Sequence, residues 1–290
     1  MNGIIVGFGN MGRLHYSKLI NRGINVPIIV DSNPNNIDVN AAIYTKMEDV
    51  PSFQDIDFIF ICTPTNTHYE ILNEIIDKKI PIFLEKPVAR TRREINSLKK
   101  LSNMFIFVGE VELFNEDLKQ FLNYNKTPSK IKIKRKVDLD YFLKGNKPWF
   151  LNEELSGGIV LDLMIHDITL LISKFGIPKI KSVESSKNKF EINDFVKTIL
   201  SFDKFEAEIS SSWIENDRKT PIKVLIDIYN GEVVSIISNN YMENKKKDAF
   251  DNQLDFFLKA VNQNKLPYNF DLFLKATKLC LDINNIINVK

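Results

Sequence analysis

Residues Asn2-Gly3-Ile4-Ile5-Val6-Gly7-Phe8-Gly9-Asn10-Met11-Gly12 read as a short apolar strand, a Gly-x-Gly-x-x-Gly turn and the opening of a helix. In a turn that receives a dinucleotide each glycine has its own task. Gly7 permits the tight turn, Gly9 lets the backbone approach a pyrophosphate, and Gly12 lets the helix pack close to the strand. The phosphates would then rest on a helix N-terminus, with its unpaired N–H groups and the positive end of its dipole. Such a unit needs an acidic residue about 20 positions further on, at the end of a second strand. The run Val26-Pro27-Ile28-Ile29-Val30-Asp31 supplies it. Gly7, Phe8, Gly9, Asn10, Met11, Gly12, Asp31 and Ser32 are therefore expected to hold the cofactor. A carboxylate at Asp31 repels a 2′-phosphate and Ser32-Asn33 brings no Arg to bind one, which favours NAD over NADP.

Working outward, the first hundred residues alternate strand and helix patterns. Strands are predicted near 3–7, 27–31, 57–62, 80–84 and 104–108, and helices near 10–21, 67–78 and 91–102. Phe58-Ile59-Phe60-Ile61-Cys62 is apolar throughout, as expected of a parallel strand covered on both faces. Thr91-Arg92-Arg93-Glu94 matches a capping box. This is the alternation of a doubly wound α/β sheet. After about residue 109 the grammar changes. A helix near 114–124, a strand near 130–138 and a helix from about 158 to 174 precede strands near 181–188, 193–203, 205–214, 221–230 and 232–238. Asn230-Gly231 is a hairpin signal and Asp203-Lys204 a tight turn, so the second sheet is expected to be mainly antiparallel. Helices near 249–263 and 270–287, with a loop at Pro267 between them, close the chain. The expected domains are 1–110, binding the dinucleotide, and 111–290, an α+β domain for substrate and self-association whose last helices pack back on the first.

The bulk numbers narrow the class. The chain has 290 residues, 44% hydrophobic and 26% charged, enough for two ordinary globular cores. A formal net charge of +2 gives no argument for nucleic acid. The clusters Lys132-Ile133-Lys134-Arg135-Lys136 and Lys245-Lys246-Lys247 read as solvated surface, the first as a strand with one wet face. Cys62 and Cys280 sit in separate apolar runs and read as buried free thiols of a reducing compartment. No apolar stretch reaches the length of a membrane span, and the N-terminus lacks a basic region followed by a long apolar segment, so a cytoplasmic location is expected.

Three further segments carry chemistry. Cys62-Thr63-Pro64-Thr65-Asn66-Thr67-His68 follows the third strong strand, at the end where open α/β sheets bind ligands. Thr63 and Asn66 there bond the cofactor, or Asn66 or Thr67 caps an ordinary strand-to-helix turn. Glu85-Lys86-Pro87 directly follows the apolar run Ile80-Pro81-Ile82-Phe83-Leu84. A strand tip beside a cofactor would put Lys86 where substrate meets nicotinamide; the alternative is a surface turn. In Ser156-Gly157-Gly158-Ile159-Val160-Leu161-Asp162-Leu163-Met164-Ile165-His166-Asp167, Asp162 and His166 are four apart and share one helix face. A carboxylate beside an imidazole orients it to accept a proton. A metal site would use the same spacing but lacks a third ligand, and a structural His–Asp pair is the remaining alternative.

In combination these segments resemble the Gfo/Idh/MocA family of NAD(P)-dependent oxidoreductases. The matching stretches are Gly7 to His15, Thr63 to His68, Glu85-Lys86-Pro87, Gly157-Gly158 and Asp162 to His166, in family order. The chain's three histidines, His15, His68 and His166, all fall at motif positions. The resemblance implies a second domain whose open-faced sheet serves homodimer or tetramer formation. It places Thr63, Pro64, Asn66, His68 and Glu85 around the cofactor, Glu85 near the nicotinamide ribose. It makes Lys86 the residue that bonds the reacting oxygen and His166 the general acid/base. Asp162 would orient His166 or bind a sugar hydroxyl, and Trp149 would border the substrate.

Asp162 to Asp167, together with Val108 to Asn115, is most similar to the branch of the family that oxidises UDP-N-acetylglucosamine-type sugars at C3. The chain departs from that branch at Glu110, Leu113 and Glu116, where His, Arg and Pro are usual. Pro148-Trp149-Phe150 is more similar to the general sugar and inositol dehydrogenases. An NAD-dependent sugar dehydrogenase is the expectation. An inositol dehydrogenase or keto-sugar reductase of the same family is the alternative, and a sugar- or NAD-sensing regulator without turnover the alternative of another class.

Overall fold

The computed structural model describes residues 1–143, 151–214, 222–238, 248–266 and 268–289. The chain divides into two compact units, Met1–Gly109 with Gln253–Leu274, and Glu110–Asn252 with Lys275–Lys290. The expected loops at Lys245–Lys247 and Pro267 lie outside the described residues.

The first unit is built on a six-stranded sheet in the order β3-β2-β1-β4-β5-β6. Its strands are β1 (Asn2–Val6), β2 (Asn25–Val30), β3 (Ala42–Tyr44), β4 (Phe58–Ile61), β5 (Ile82–Glu85) and β6 (Ile106–Gly109), every neighbouring pair parallel. The crossovers carry α1 (Asn10–Ile20), α2 (His68–Ile75) and α3 (Arg92–Leu98). The expected capping box opens α3: Thr91 Oγ1 accepts from Glu94 N while the Glu94 carboxylate accepts from Thr91 N. All four residues of β4 are fully buried, as the apolar run required. Phe60 stacks on Phe83 at 4.4 Å, and Phe257 packs edge-on against both at 5.3 Å. Through that aromatic cluster Gln253–Leu274, numbered with the second domain but expected to pack back on the first, belongs to the first unit. The unexpected strand is β3, an edge of three residues, none of them buried, with no periodicity to read.

The second unit holds a six-stranded sheet in the order β12-β11-β7-β10-β9-β8. The strands are β7 (Lys130–Val137), β8 (Lys179–Ser186), β9 (Phe195–Ser201), β10 (Glu206–Ser212), β11 (Ile222–Tyr229) and β12 (Val233–Ser238). Only β7 and β10 pair in parallel; the other neighbours are antiparallel, as expected. Asn230-Gly231 turns β11 into β12, with Gly231 at φ 76°. The short helices α4 (Lys119–Leu122), α5 (Leu139–Leu143) and α6 (Glu153–Ser156) precede the long α7 (Ile165–Phe175). The last helices are α8 (Ala249–Gln263) and α9 (Phe270–Val289).

Three expectations change here. The helix near 114–124 is broken into two 3₁₀ turns, Val111–Phe114 and Glu116–Leu118, before α4. Side chains of Glu110 and Asn115 accept from backbone N–H groups two residues on and so cap the start of each piece. The helix near 158–174 begins instead with a π turn, Val160–Met164, ahead of α7. Arg135, read as wet surface, is 2% exposed: it shares the inner face of β7 with Ile131, Ile133 and Val137.

Candidate functional site

Because the first sheet is parallel, the C-terminal ends of its strands lie along one edge, and the motif residues follow those ends. Gly7 follows β1, Asp31 follows β2, Thr63 comes just after β4, and Lys86 follows β5. The strand order reverses between β1 and β4, the switch point where such sheets bind ligands.

The glycine turn is tight for reasons visible in its packing. Gly7 has φ +87°, and a Cβ on Gly12 would stand 2.0 Å from the Gly7 carbonyl oxygen. A Cβ on Gly9 would meet no protein atom within 4 Å. The protein's own packing therefore leaves open space beside Gly9, room for a ligand to approach the backbone. Gly9 is also the N-cap of α1, with no side-chain cap and no acidic residue in the first turn. The first N–H groups of α1 are thus available to a phosphate. Asp31 Oδ2 accepts from Phe8 N at 2.6 Å and Oδ1 accepts from Asn33 N at 2.8 Å, so the acid is held against the turn. Its removal would disturb both charge and turn, so the informative change is Asp31→Asn, which keeps an acceptor. It is expected to weaken NAD about tenfold, on the usual worth of a hydrogen bond to a charged group, and to narrow the preference over NADP. Unchanged calorimetric affinities for both dinucleotides would remove Asp31 from the expected cofactor residues.

The remaining residues of this unit divide into those open to a ligand and those that hold them. Thr63, Asn66 and Lys86 are half-buried and Pro64 is exposed. Thr67 Oγ1 donates to Thr63 Oγ1 at 2.8 Å, pinning the loop. His68, expected among the cofactor contacts, is instead fully buried, with Nδ1 3.0 Å from the Pro87 carbonyl and Nε2 2.9 Å from the Thr63 carbonyl. It ties the loop after β4 to the one after β5, the latter containing the cis Lys86–Pro87 bond. Glu85, 7% exposed, bonds through Oε1 to His15 Nε2 at 2.7 Å, and His15 packs against Phe60 and Phe83. The potential ligand atoms of His15, Cys62 and Glu85 lie within 4.8 Å of one another. Cys280 is buried as expected, whereas Cys62 is half-buried as a residue; burial of its thiol, and then the nearby Glu85, pushes that thiol well above its ordinary range, so the trio offers a protonated sulfur.

Burial pushes His68 below the ordinary imidazole value, against the opposing pull of its two carbonyls. A neutral ring donates to only one of them. The folded state therefore prefers neutral His68, and this contribution to stability is complete above about pH 6.5. It is lost as the pH falls below that value, by at most about 1.4 kcal/mol per pH unit. His68→Asn is expected to be less stable at neutral pH but to lose less on acidification. Parallel stability-against-pH curves for variant and parent would contradict this.

In the second unit, Gly157 and Gly158, both at positive φ, turn the chain into the π segment. The wider π turn takes Asp162 off the line of His166, and the two do not pair. Asp162 Oδ2 accepts from Trp213 Nε1 at 3.3 Å. The carboxylate on His166 is Glu110, whose Oε1 lies 2.5 Å from Nδ1. The His166 side chain is 11% exposed and that of Glu110 1%. Among the described residues Nε2 of His166 has no hydrogen-bond partner, so the ring is held at one nitrogen and open at the other. Next to it is a buried ionic group. Arg135 bonds Asp167 through Nε, at 3.1 and 3.0 Å, and through Nη2 at 2.8 Å, while Nη1 bonds Glu112. Two carboxylates share one guanidinium. Burial raises the Asp167 carboxyl in spite of Arg135, whereas at Glu112 burial is outweighed by Arg135, His166 and Asn115, which hold it low. Trp149 lies outside the described residues.

Residues 1–104 match the family model described as oxidoreductase family, NAD-binding Rossmann fold. Residues 131–234 match the GFO/IDH/MocA C-terminal domain. The chain is similar to a myo-inositol 2-dehydrogenase of Thermotoga maritima, 24% identical over 57% of this chain and 52% of the relative. It spans about half the length of the first curated relatives it matches. Among solved structures it is similar to a UDP-N-acetylglucosamine 3-dehydrogenase from Acidithiobacillus ferrooxidans, with TM-score 0.79 and 16% identity, covering 98% of this chain and 96% of that one. It is also similar to a scyllo-inositol dehydrogenase from Lactobacillus casei solved with NAD(H) and scyllo-inositol, with TM-score 0.80 and 16% identity over 98% and 96%.

Proposed function

The chain belongs to the GFO/IDH/MocA oxidoreductase family, and on that premise we propose that it is an NAD-dependent dehydrogenase. Its substrate would be a sugar or nucleotide-sugar with a secondary hydroxyl, such as C3 of a UDP-N-acetylhexosamine. The observation that carries this reading is His166: an imidazole fixed through Nδ1 by a buried carboxylate and open at Nε2. Such a ring accepts a proton from a hydroxyl and later returns it. Lys86, the residue directly after β5, is assigned as a hydrogen-bond donor to a substrate hydroxyl, as the family resemblance implies. Asp162, held by Trp213 and half-buried, receives a neighbouring sugar hydroxyl. Gly7 to Gly12 and Asp31 hold the dinucleotide, with Thr63, Pro64, Asn66 and Glu85 lining its path. A bound nicotinamide would supply the hydride acceptor for the substrate carbon.

The test is NAD reduction, followed at the nicotinamide absorbance, across UDP-sugars, free hexoses and inositols, with endpoint detection for cofactor that stays bound. Signal with nucleotide-sugars supports the C3 reading, and signal with inositols the alternative that the Thermotoga maritima relative suggests. NAD binding with silence across the panel favours a sensor or a keto-sugar reductase. We also assign self-association to the solvent face of the second sheet, where Val233 and Ile237 are 55% and 57% exposed. No described helix is long and apolar enough to cross a membrane.

A further inference from the structure

We infer that Glu110 is a positioning residue that selects the tautomer of His166, holding the proton on Nδ1 and leaving the lone pair on Nε2. Its consequence for turnover rests on the dehydrogenase reading above; the tautomer itself does not.

The geometry is specific. Glu110 Oε1 is 2.5 Å from Nδ1 and 3.4 Å from the Glu112 backbone nitrogen. The backbone bond pins the carboxylate as the cap of the 3₁₀ turn Val111–Phe114, immediately after β6. The acceptor is thus placed by main chain, not by a free rotamer. A carboxylate has only acceptor oxygens, so the hydrogen in this contact belongs to the ring. A neutral imidazole carries one N–H, and giving it to Nδ1 makes Nε2 the basic nitrogen. Among the described residues, Glu112 and Asp167 also interact with the charge of His166, and both are bonded by Arg135. None of these three makes the contact to Nδ1. Asp162, which shares the helical segment and was the expected orienting acid, is engaged by Trp213.

The test is long-range ¹H–¹⁵N NMR of the histidine-labelled full chain at neutral pH. With three histidines, the His166 signals are assigned by their loss in His166→Gln. The parent protein is expected to show Nδ1 protonated and Nε2 unprotonated. Glu110→Gln, whose amide oxygen still accepts, is expected to keep that tautomer. Glu110→Val is expected to lose it, while the His15 and His68 signals stay in place and report an intact first unit. In turnover, Glu110→Val is expected to lower kcat at least about tenfold, part of the 10²–10⁴-fold that acid–base help supplies, with NAD affinity unchanged. An Nε2–H tautomer in the parent overturns the inference, as does a Glu110→Val spectrum identical to the parent's. Both results are read without turnover. An Nδ1–H tautomer in a protein that oxidises nothing contradicts the proposed function and leaves the role of Glu110 standing.

Discussion

Replacing His166 by alanine is expected to lower turnover by about 10²–10⁴-fold, the usual worth of a placed general acid–base group. The reason is chemical and local. Alanine removes the ring that Glu110 holds through Nδ1, and with it the open Nε2 assigned as the proton acceptor. NAD affinity is expected to change little, because the residues assigned to the dinucleotide belong to the other unit. Lys86→Ala is expected to behave alike, with its loss concentrated in kcat, since its proposed contact strengthens as the oxygen gains charge. Steady-state kinetics with calorimetric NAD binding separates these outcomes. Turnover within twofold of the parent removes the assigned role from whichever residue was changed.

The second large effect concerns stability. Arg135→Met is expected to cost about 3–5 kcal/mol, because it leaves two carboxylates buried around a vanished guanidinium. Glu112 and Asp167 have 2% and 0% of their side-chain surface exposed, so water cannot take over. The deficit should narrow as the pH falls through the carboxylate range, since protonation removes the stranded charges. Replacing all three residues by apolar ones of similar volume should recover much of the loss. Urea midpoints of the parent, the single variant and the triple variant decide the matter. An unchanged midpoint for Arg135→Met would mean that the group contributes nothing net.

The same residues show what can be read from sequence. Strands with continuous apolar runs, such as β4, declared themselves, and so did the glycine turn, whose demands are local. What escaped reading was nonlocal. Glu110 and His166 are 56 residues apart, and no spacing rule joins them. The available signal was an acid directly after the apolar run Ile106-Phe107-Val108-Gly109, at a position where the resembled branch carries His. Arg135 was legible by parity, as it alternates with Ile131, Ile133 and Val137, but the flanking lysines drew the segment toward a surface reading. The Asp162–His166 pairing failed because four-residue spacing presumes an α-helix, and the π turn changes the geometry at that place. The role of His68 turned on two backbone carbonyls that no motif predicts.

The most direct measurement of the central claim is transfer of a carbon-bound hydrogen. UDP-N-acetylglucosamine deuterated at C3 and ring-deuterated myo-inositol would each be incubated with the protein and NAD, and the recovered cofactor weighed by mass spectrometry. The account predicts reduced cofactor one mass unit heavier with at least one of these compounds, and none with His166→Ala. Unlabelled or unreduced cofactor with both, from protein that binds NAD, would contradict it.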